Sequence, residues 1–205
     1  MSEPVRGTIN NVNCDSSSEF PNWNHTYGAG LFNGIPAQQN KNFYDAFKRL
    51  FAQESISRVL EIGTAEGGFT YALRAITDVP IVSYDIFEGK WHHLLTEQNI
   101  EVKHMNCWDD IEFIANYIQQ EGQTLVCVDG GNKIREFNDL SLYCKSGDII
   151  MAHDYHHTKE SDTRKSVWRW CEISYADIQN TVEDLGLIDM CEQFNDCAWA
   201  CWKRP

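Results

Sequence analysis

The segment of this sequence best suited to bind a ligand through its backbone is a glycine-rich turn, Glu61-Ile62-Gly63-Thr64-Ala65-Glu66-Gly67-Gly68. Glycine lets the chain turn sharply and approach a ligand without an intervening Cβ atom. The spacing is G-x-x-x-G-G, which differs from the G-x-G-x-x-G of dinucleotide-binding folds. Glu61 would repel a pyrophosphate but attract a cationic amino acid that carries a sulfonium group, as in S-adenosylmethionine. The residues of this turn predicted to bind that cofactor are Glu61, Gly63, Thr64, Gly67 and Gly68.

Two further segments, each at the end of a predicted strand, complete the predicted cofactor site. Asp85 ends the second strand, where a carboxylate can accept hydrogen bonds from both ribose hydroxyls. Cys107 and Trp108 follow the third strand and lie where an adenine ring would be held. The alternatives are structural: Trp108 could be an ordinary buried residue at a helix start, and Glu61 and Asp85 could cap their strands.

The elements that must position these residues alternate between strand and helix. Short apolar strands are predicted at residues 58–62, 81–85, 101–105, 124–129 and 148–152, and a terminal hairpin at 187–194 and 197–203. Helices are predicted at residues 40–51, 69–76, 108–120, 134–144 and 161–185. This order predicts an α/β fold with a doubly wound, mostly parallel seven-stranded sheet, helices on both faces and a C-terminal antiparallel hairpin, which is the class I methyltransferase fold. Ligands bind beyond the carboxyl ends of the strands in such sheets.

The amino-acid composition argues against some classes of binding partner and favours one cellular location. The chain has 205 residues with 17 Lys and Arg against 30 Asp and Glu, a net charge of −13. An acidic surface argues against nucleic acid or an anionic membrane as a partner, because both require cationic footprints. Residues 1–15 lack the apolar core of a signal peptide, and cysteines such as Cys127 lie in apolar runs, as small buried side chains do. We therefore expect a cytoplasmic protein with reduced cysteines, and the sequence is compatible with a homo-oligomer.

The N-terminal segment differs from the rest of the chain. Residues 1–27 are rich in Ser, Asn and Pro and show little periodicity. We predict an N-terminal arm at residues 1–33 and a single S-adenosylmethionine-binding methyltransferase domain at residues 34–205.

Two pairs of segments carry a resemblance to a known family. The first pair is Gly34-Ile35-Pro36-Ala37-Gln38-Gln39-Asn40 with residues 59–68, and the second is Val128-Asp129-Gly130-Gly131-Asn132 with residues 147–155. Over roughly residues 34–155 the sequence resembles the small class I methyltransferases related to cephalosporin hydroxylase and to macrocin and rhamnosyl O-methyltransferases. The resemblance implies that Gln38 lies over the amino-acid end of the cofactor and that Asp129 faces the cofactor.

The same resemblance implies a divalent cation, such as Mg²⁺, bound by Asp129 and Asp154. Two carboxylates at neighbouring strand ends converge on the ligand crevice and offer hard oxygen ligands to a cation that would lower the pKa of an acceptor hydroxyl. The sequence departs from the family at Asn132, where relatives usually have His, and at His153, where many metal-using relatives have Glu. As a nitrogen ligand His153 would favour Mn²⁺, Fe²⁺ or Zn²⁺. Alternatively, the two aspartates only bond loop amides.

Histidines near the predicted metal site are candidates for a general base. An imidazole has an unperturbed pKa of about 6.5 and is mostly neutral at pH 7. The predicted catalytic residues are therefore Asp129, His153, Asp154 and His156, and the predicted metal ligands are Asp129, His153 and Asp154. The neighbouring His157 is a further candidate, although a loop rich in His is equally well explained as a polar loop.

These patterns favour an S-adenosylmethionine-dependent O-methyltransferase. Its acceptor would be a hydroxyl on a small molecule such as a sugar or a natural product, with or without a divalent cation. Trp91, His92 and His93 form another loop that could line the acceptor pocket. The alternatives are a non-catalytic S-adenosylmethionine-binding module that acts through partners, and a nicotinamide-dependent reductase, which the glycine spacing and Glu61 disfavour.

Overall fold

The computed structural model describes residues 30–39, 42–156 and 173–205. Residues 1–29 of the predicted arm, His157 and the first part of the helix predicted at 161–185 lie outside the described residues. The described strands are β1 Gly30–Phe32, β2 Ile35–Ala37, β3 Ile56–Ile62, β4 Ile81–Asp85, β5 Glu101–His104, β6 Gln123–Val128, β7 Ile149–Ala152, β8 Tyr155–His156, β9 Ile173–Ser174, β10 Ile188–Asp189 and β11 Ala200–Lys203. The described α-helices are α1 Phe43–Gln53, α2 Gly68–Ile76, α3 His92–Glu97, α4 Ile111–Gln119, α5 Lys133–Ser141 and α6 Tyr175–Leu185.

Seven strands form one sheet in the order β10-β11-β7-β6-β3-β4-β5. The parallel strands are β7, β6, β3, β4 and β5. Strand β11 pairs antiparallel with both β7 and β10. Backbone hydrogen bonds continue past the strands: Gly63 N donates to Tyr84 O at 2.8 Å, and Asp129 N donates to Ile62 O at 2.7 Å. The prediction of a doubly wound, mostly parallel seven-stranded sheet with a C-terminal antiparallel hairpin is confirmed.

Helices cover both faces of this sheet, so that the central parallel strands are buried on both sides, whereas the edge strand β5 is partly exposed. In β6, Leu125 and Cys127 pack in one core with residues of α1, α2 and α3, whereas Val126 and Val128 pack in the other with residues of α4, α5 and α6. This division follows from the alternation of side chains along a strand, and it explains the continuous apolar runs. Among the described residues, no helix has the length and apolar character needed to cross a membrane.

The terminal hairpin and the helix before it differ in extent from their predicted bounds. The first arm of the hairpin is only β10, because the Asp189 carboxylate accepts a hydrogen bond from Cys191 N at 2.7 Å and a 3₁₀ helix, Cys191–Cys197, follows. The helix predicted to end at residue 185 begins, among described residues, at Tyr175. Ser174 and Asp177 form a capping box that fixes this start, and β9 precedes it.

Two segments next to the cofactor turn also differ from expectation. The stretch from Trp91 to His93, which was expected to be a loop, leads into the short helix α3. The helix predicted at 108–120 begins as a 3₁₀ turn, Cys107–Asp110, before α4. Asn106 caps that turn, since its side-chain oxygen accepts a hydrogen bond from Trp108 N.

A short hairpin of β1 and β2 precedes the first helix. Its turn residues Asn33 and Gly34 both have positive φ, 51° and 81°, as the common two-residue hairpin turn requires. Phe32 and Ile35 on either side are each 1% exposed. The predicted boundary between arm and domain at residue 33 therefore falls within this turn.

The strand β2 lies so close to the start of α2 that no side chain fits between them. A Cβ atom at Gly68 would lie 2.3 Å from the carbonyl oxygen of Pro36 and 2.7 Å from the Cβ of Ala37. Gly68 was singled out as part of a cofactor turn, and the structure gives it a packing role that the motif did not reveal.

We expect Gly68→Ala to lower the free energy of unfolding by about 1–3 kcal/mol, the usual cost of overpacking a tight contact. Helix propensity alone would favour alanine by about 0.5–1 kcal/mol, so a net loss identifies the steric contact. Chemical denaturation measures the change. Gly131→Ala is the matched control, because a Cβ there would have no other atom within 4 Å; its effect should stay within about 0.5 kcal/mol. Wild-type stability of Gly68→Ala would contradict the contact.

Candidate functional site

A cavity of about 260 Å³ opens at the carboxyl ends of β3 and β4. Its wall combines apolar side chains, glycine backbone and a few polar groups from the strand-end loops. The lining residues are Ile62, Gly63, Tyr84, Asp85, Ile86, Met105, Asn106, Cys107, Trp108, Gly130, Gly131, Asn132 and Glu136. Four of the predicted cofactor-binding residues, Gly63, Asp85, Cys107 and Trp108, therefore meet at one cavity, at the edge of the sheet where ligands of such folds bind.

Asp85 shapes this cavity as well as lining it. Its two carboxylate oxygens accept hydrogen bonds from Ala65 N at 2.7 Å and Phe87 N at 2.9 Å. Ala65 has a φ of 48°, a left-handed conformation that residues other than glycine rarely adopt, and the bond to Asp85 helps to hold it. These contacts match the alternative role of Asp85 as a cap at the end of its strand. Each oxygen can accept a further bond, so Asp85 keeps capacity for a ligand.

The first two glycines of the turn are both in the left-handed region and both tightly packed. Gly63 has a φ of 97°, and a Cβ there would lie 2.2 Å from the carbonyl oxygen of Asp129. Gly67 has a φ of 92°, and a Cβ there would lie 2.8 Å from a methyl carbon of Leu95. The glycines therefore serve packing: Gly67 packs against helix α3, and Gly63 joins the β3 loop to the β6 loop.

The side chains of Glu61 and Thr64, two residues of the turn, are buried in the protein interior. The Ser83 hydroxyl donates to a Glu61 carboxylate oxygen at 2.6 Å and lies 2.5 Å from the Thr64 hydroxyl. Glu61 is fully buried, and this burial raises its pKa to about 8, against the lowering effect of the Ser83 bond. The sequence interpretation treated Glu61 as a negative charge, but its protonated form predominates at neutral pH because the interior disfavours the ion.

His92 contacts the backbone of the glycine-rich turn and does not line the cavity. Gly89 N donates to His92 Nδ1 at 3.1 Å, so the ring hydrogen is on Nε2, which lies 2.7 Å from the carbonyl oxygen of Ala65. The His104 Nε2 atom lies 2.9 Å from the same Nδ1. His92 is 3% exposed. Burial in α3 thus gives this histidine a structural role that the sequence did not indicate.

The far end of the cavity is apolar with one aromatic wall. Cys107 is buried, and the half-buried Trp108 has the guanidinium of Arg135 4.0 Å from its ring centroid. Trp108 packs against the core and lines the cavity at once, so both interpretations of this residue describe part of its environment.

Glu136, which sequence reasoning missed, closes the side of the cavity formed by the β6 loop. It is 3% exposed and accepts hydrogen bonds from Gly130 N and Asn132 N, each at 3.1 Å. Burial raises the pKa of Glu136, although the two amide bonds act in the opposite direction. Little in the sequence indicated that Glu136 lines a cavity, since it lies one turn into an amphipathic helix.

The three predicted metal ligands come together beside the cavity. Asp129, His153 and Asp154 each offer a ligand atom, and these atoms lie within 4.8 Å of one another. His153 Nδ1 is 3.1 Å from Asp129 Oδ1 and 3.7 Å from Asp154 Oδ1. Asp154 reaches this position with a φ of 55°, an unusual conformation for a residue other than glycine. The predicted convergence of strand-end carboxylates is therefore present in the structure.

The cluster contains a cation that sequence reasoning missed. The ammonium of Lys133, the first residue of α5, lies 3.3 Å from Asp129 Oδ1 and 3.2 Å from Asp154 Oδ2. It also donates to Gly130 O at 3.2 Å, and the residue is only 6% exposed. The sequence indicated this contact only through the spacing of four residues between Asp129 and Lys133 after a strand. A lone lysine at a helix start, however, usually faces solvent.

Burial and mutual charges shift the protonation of this cluster. Burial opposes protonation of His153, but the charges of Asp129 and Asp154 outweigh it and raise the pKa of His153. Burial also raises the pKa of Asp154, although His153 and Lys133 act in the opposite direction. The group therefore holds two acids, one base and one fixed cation in a small, mostly buried space.

Gln39, which follows the N-terminal hairpin of β1 and β2, contacts the same cluster. Its side-chain nitrogen donates to Asp129 Oδ2 at 3.2 Å, and its oxygen accepts from Trp199 Nε1 at 2.8 Å. Gln39 is 2% exposed, whereas the neighbouring Gln38, the residue implied by the family resemblance, is exposed. The structure therefore gives the buried, inward-facing position to Gln39. The one-residue difference reflects side-chain alternation after β2, which the motif alone could not fix.

The remaining predicted catalytic residue, His156, lies in β8, which pairs with β9. Its side chain and all of His157 lie outside what the structure describes. The proposed role of His156 as a base stays a prediction.

The contacts of Lys133 bear on whether the cluster fits a divalent cation. Metal–oxygen bonds of Mg²⁺ or Ca²⁺ are about 2.0–2.6 Å long, and the cation must sit between its carboxylates. The place between Asp129 and Asp154 is taken by an ammonium at hydrogen-bonding distance. In the structure the cluster is arranged around an ammonium, and the predicted Mg²⁺ or Mn²⁺ stays untested.

Comparison with known proteins gives the fold. No protein-family model and no curated protein sequence matches this chain. The structure of CmcI with Mg and SAM matches with a TM-score of 0.63 and 12% identity, over 85% of this chain and 76% of that one. The O-methyltransferase of Bacillus cereus in complex with SAH matches with a TM-score of 0.52 and 15% identity, over 82% of this chain and 84% of that one.

A third match is the O-methyltransferase TomG from Streptomyces achromogenes, involved in tomaymycin synthesis, in complex with SAM. Its TM-score is 0.50 at 16% identity, over 80% of this chain and 81% of that one. At such identities the similarity extends to the fold alone. The strand order, the terminal hairpin and these matches show that the chain has the class I methyltransferase fold.

We expect Glu61→Gln to flatten the pH dependence of stability. Because the folded pKa of Glu61 is raised to about 8, this group stabilises the fold fully below its unfolded pKa and loses that contribution as the pH rises toward 8. The loss between about pH 5.5 and pH 8 is on the order of 3 kcal/mol. Denaturant titrations at the two pH values should show a smaller difference for Glu61→Gln than for wild type. The exposed-site variant Glu112→Gln should behave as wild type; an equal difference in all three proteins would rule out a buried, protonated Glu61.

Proposed function

We propose that this chain, which has the class I methyltransferase fold, is an S-adenosylmethionine-dependent O-methyltransferase that acts on a hydroxyl of a small molecule. The observation that carries the proposal is the meeting of Gly63 and Asp85 in one cavity, whose wall continues through Gly130 into the Asp129 cluster. Two structural matches are O-methyltransferases in complex with SAM or SAH, which supports the cofactor and the reaction class.

The cavity residues suit an adenosyl group. Asp85 would accept hydrogen bonds from ribose hydroxyls, while Met105 and Trp108 would form apolar and aromatic walls for the base. The turn at Gly63 brings backbone to the cavity without a side chain in the way. When bound, S-adenosylmethionine supplies a methyl group activated by its own sulfonium charge, so no covalent enzyme intermediate is required.

The acceptor side of the proposed site is the Asp129 cluster. Its carboxylates are suited to take up the proton of an acceptor hydroxyl, and burial makes the Asp154 carboxylate a stronger base by raising its pKa. His153 holds Asp129 in place through the 3.1 Å contact. The main contribution of these residues is to position the acceptor oxygen in line with the methyl group.

The acceptor class follows from charge. With a net charge of −13, the chain is poorly suited to polyanions, so the proposal names a neutral or cationic small molecule such as a sugar or a polyhydroxylated natural product. A cytoplasmic location belongs to the same proposal.

Incubation with methyl-labelled S-adenosylmethionine and a panel of hydroxylated small molecules tests the proposal. Transfer of label to an acceptor oxygen, identified by mass spectrometry, is the expected result. Cofactor binding without transfer to any acceptor would favour a non-catalytic binding module. Thermal stabilisation by a nicotinamide cofactor, and not by S-adenosylmethionine, would overturn the cofactor assignment.

We expect Asp85→Ala to weaken S-adenosylmethionine binding about 10- to 150-fold, because a charge-assisted hydrogen bond contributes about 1.5–3 kcal/mol. Calorimetric titration gives the dissociation constant. Asp45→Ala on the outer surface of α1 removes an equal charge away from the cavity and should leave binding unchanged. If Asp85→Ala binds as tightly as wild type, the ribose hydroxyls do not contact this residue.

A further inference from the structure

The position of Lys133 is unusual for a lysine. Among the described residues, its ammonium has oxygen neighbours at 3.2–3.3 Å from Asp129, Asp154 and Gly130. The residue is 6% exposed, so few of its contacts are with water. A buried lysine with these oxygen contacts is a built part of the site and not a surface charge that happens to lie nearby.

The local backbone gives no reason to place a cation here. Lys133 is the first residue of α5, and the amino end of a helix carries a partial positive charge that disfavours a lysine. Within the described part of the chain, the carboxylates of Asp129 and Asp154 are the charges that favour a cation at this position. Bringing Asp129 and Asp154 together without a cation would in turn leave two like charges in a half-buried space.

We propose that the ammonium of Lys133 takes the place of a divalent cation at the Asp129–Asp154 pair, so that the protein balances these carboxylates with its own side chain. The place between the carboxylates is filled, and a divalent ion could enter only if the buried lysine left it. His153 Nδ1, the nitrogen candidate, lies 3.1 Å from Asp129 Oδ1 and so already contacts a carboxylate of the pair.

The position of Lys133 also affects the proposed methyl transfer, a consequence that rests on the proposed function. A fixed ammonium that already contacts Asp129, Asp154 and Gly130 offers no open coordination position to hold an acceptor oxygen. The acceptor hydroxyl would then lose its proton directly to a carboxylate of the cluster. Cation binding itself can be measured without cofactor or acceptor.

Mn²⁺ binding, followed by the loss of the electron paramagnetic resonance signal of free Mn²⁺, tests the inference on the full chain. Wild type should show no Mn²⁺ site that depends on Asp154, even at millimolar Mn²⁺. Lys133→Met keeps the length of the side chain and removes its charge, and this variant should bind Mn²⁺ at least about 10-fold more tightly than wild type. Adding Asp154→Asn to Lys133→Met should abolish the new site, and Mn²⁺ should raise the melting temperature of Lys133→Met alone.

Lys203→Met is the matched control, because Lys203 also pairs with a carboxylate, that of Glu54 at 2.7 Å, but in a different place. It should gain no Mn²⁺ site. Lys133→Arg keeps the charge and should also gain none. Tight Mn²⁺ binding by wild type that Asp154→Asn removes would overturn the inference, and this measurement does not require the variants at Lys133 to fold. Absence of binding in folded Lys133→Met would overturn it as well, since Lys133 would then replace nothing. None of these outcomes depends on methyl transfer, so failure of the inference and failure of the proposed function are separable.

Discussion

The close approach of Gly63 to the backbone of Asp129 is the contact on which the rest of the site depends. The two residues follow neighbouring parallel strands, and the hydrogen bond from Asp129 N to Ile62 O extends the sheet between them. A Cβ at Gly63 would overlap the Asp129 carbonyl, so the two loops can meet only with glycine there. The contact sets the distance between the cavity on one side and the carboxylate cluster on the other.

Buried acids are the second constraint, and the chain stabilises each of them differently. Glu61 is kept mainly protonated by burial, which raises its pKa to about 8. Glu136 accepts two backbone amides of the β6 loop. Asp129 and Asp154 share the ammonium of Lys133. A buried charge without such a partner would be strongly destabilising, so these partners explain how so acidic a chain keeps carboxylates inside.

The rim of the cavity is held by contacts that run between loops. Asp85 and His92 bond the amide and the carbonyl of Ala65, respectively, and so fix a residue with an unfavourable backbone conformation from both sides. Gln39 joins Asp129 to Trp199, which packs on Phe69 with ring centroids 5.1 Å apart. The site is therefore tied to both the N-terminal hairpin and the C-terminal strands, and ligand-binding loops preorganised in this way lose less entropy on binding.

The fold and the strand-end positions of the site could be predicted from the sequence, because apolar periodicity and glycine spacing are local properties. It placed Gly63, Asp85, Cys107, Trp108, Asp129 and Asp154 after the correct strands, and the structure brings them to one edge. The surroundings of these residues could not be predicted in the same way. The burial that raises the pKa of Glu61, the inward turn of Gln39 in place of Gln38, and the entry of Lys133 between two carboxylates all depend on contacts between distant segments. The charge state and the ion balance of a buried site are set by its neighbours in space, which no spacing along the chain specifies.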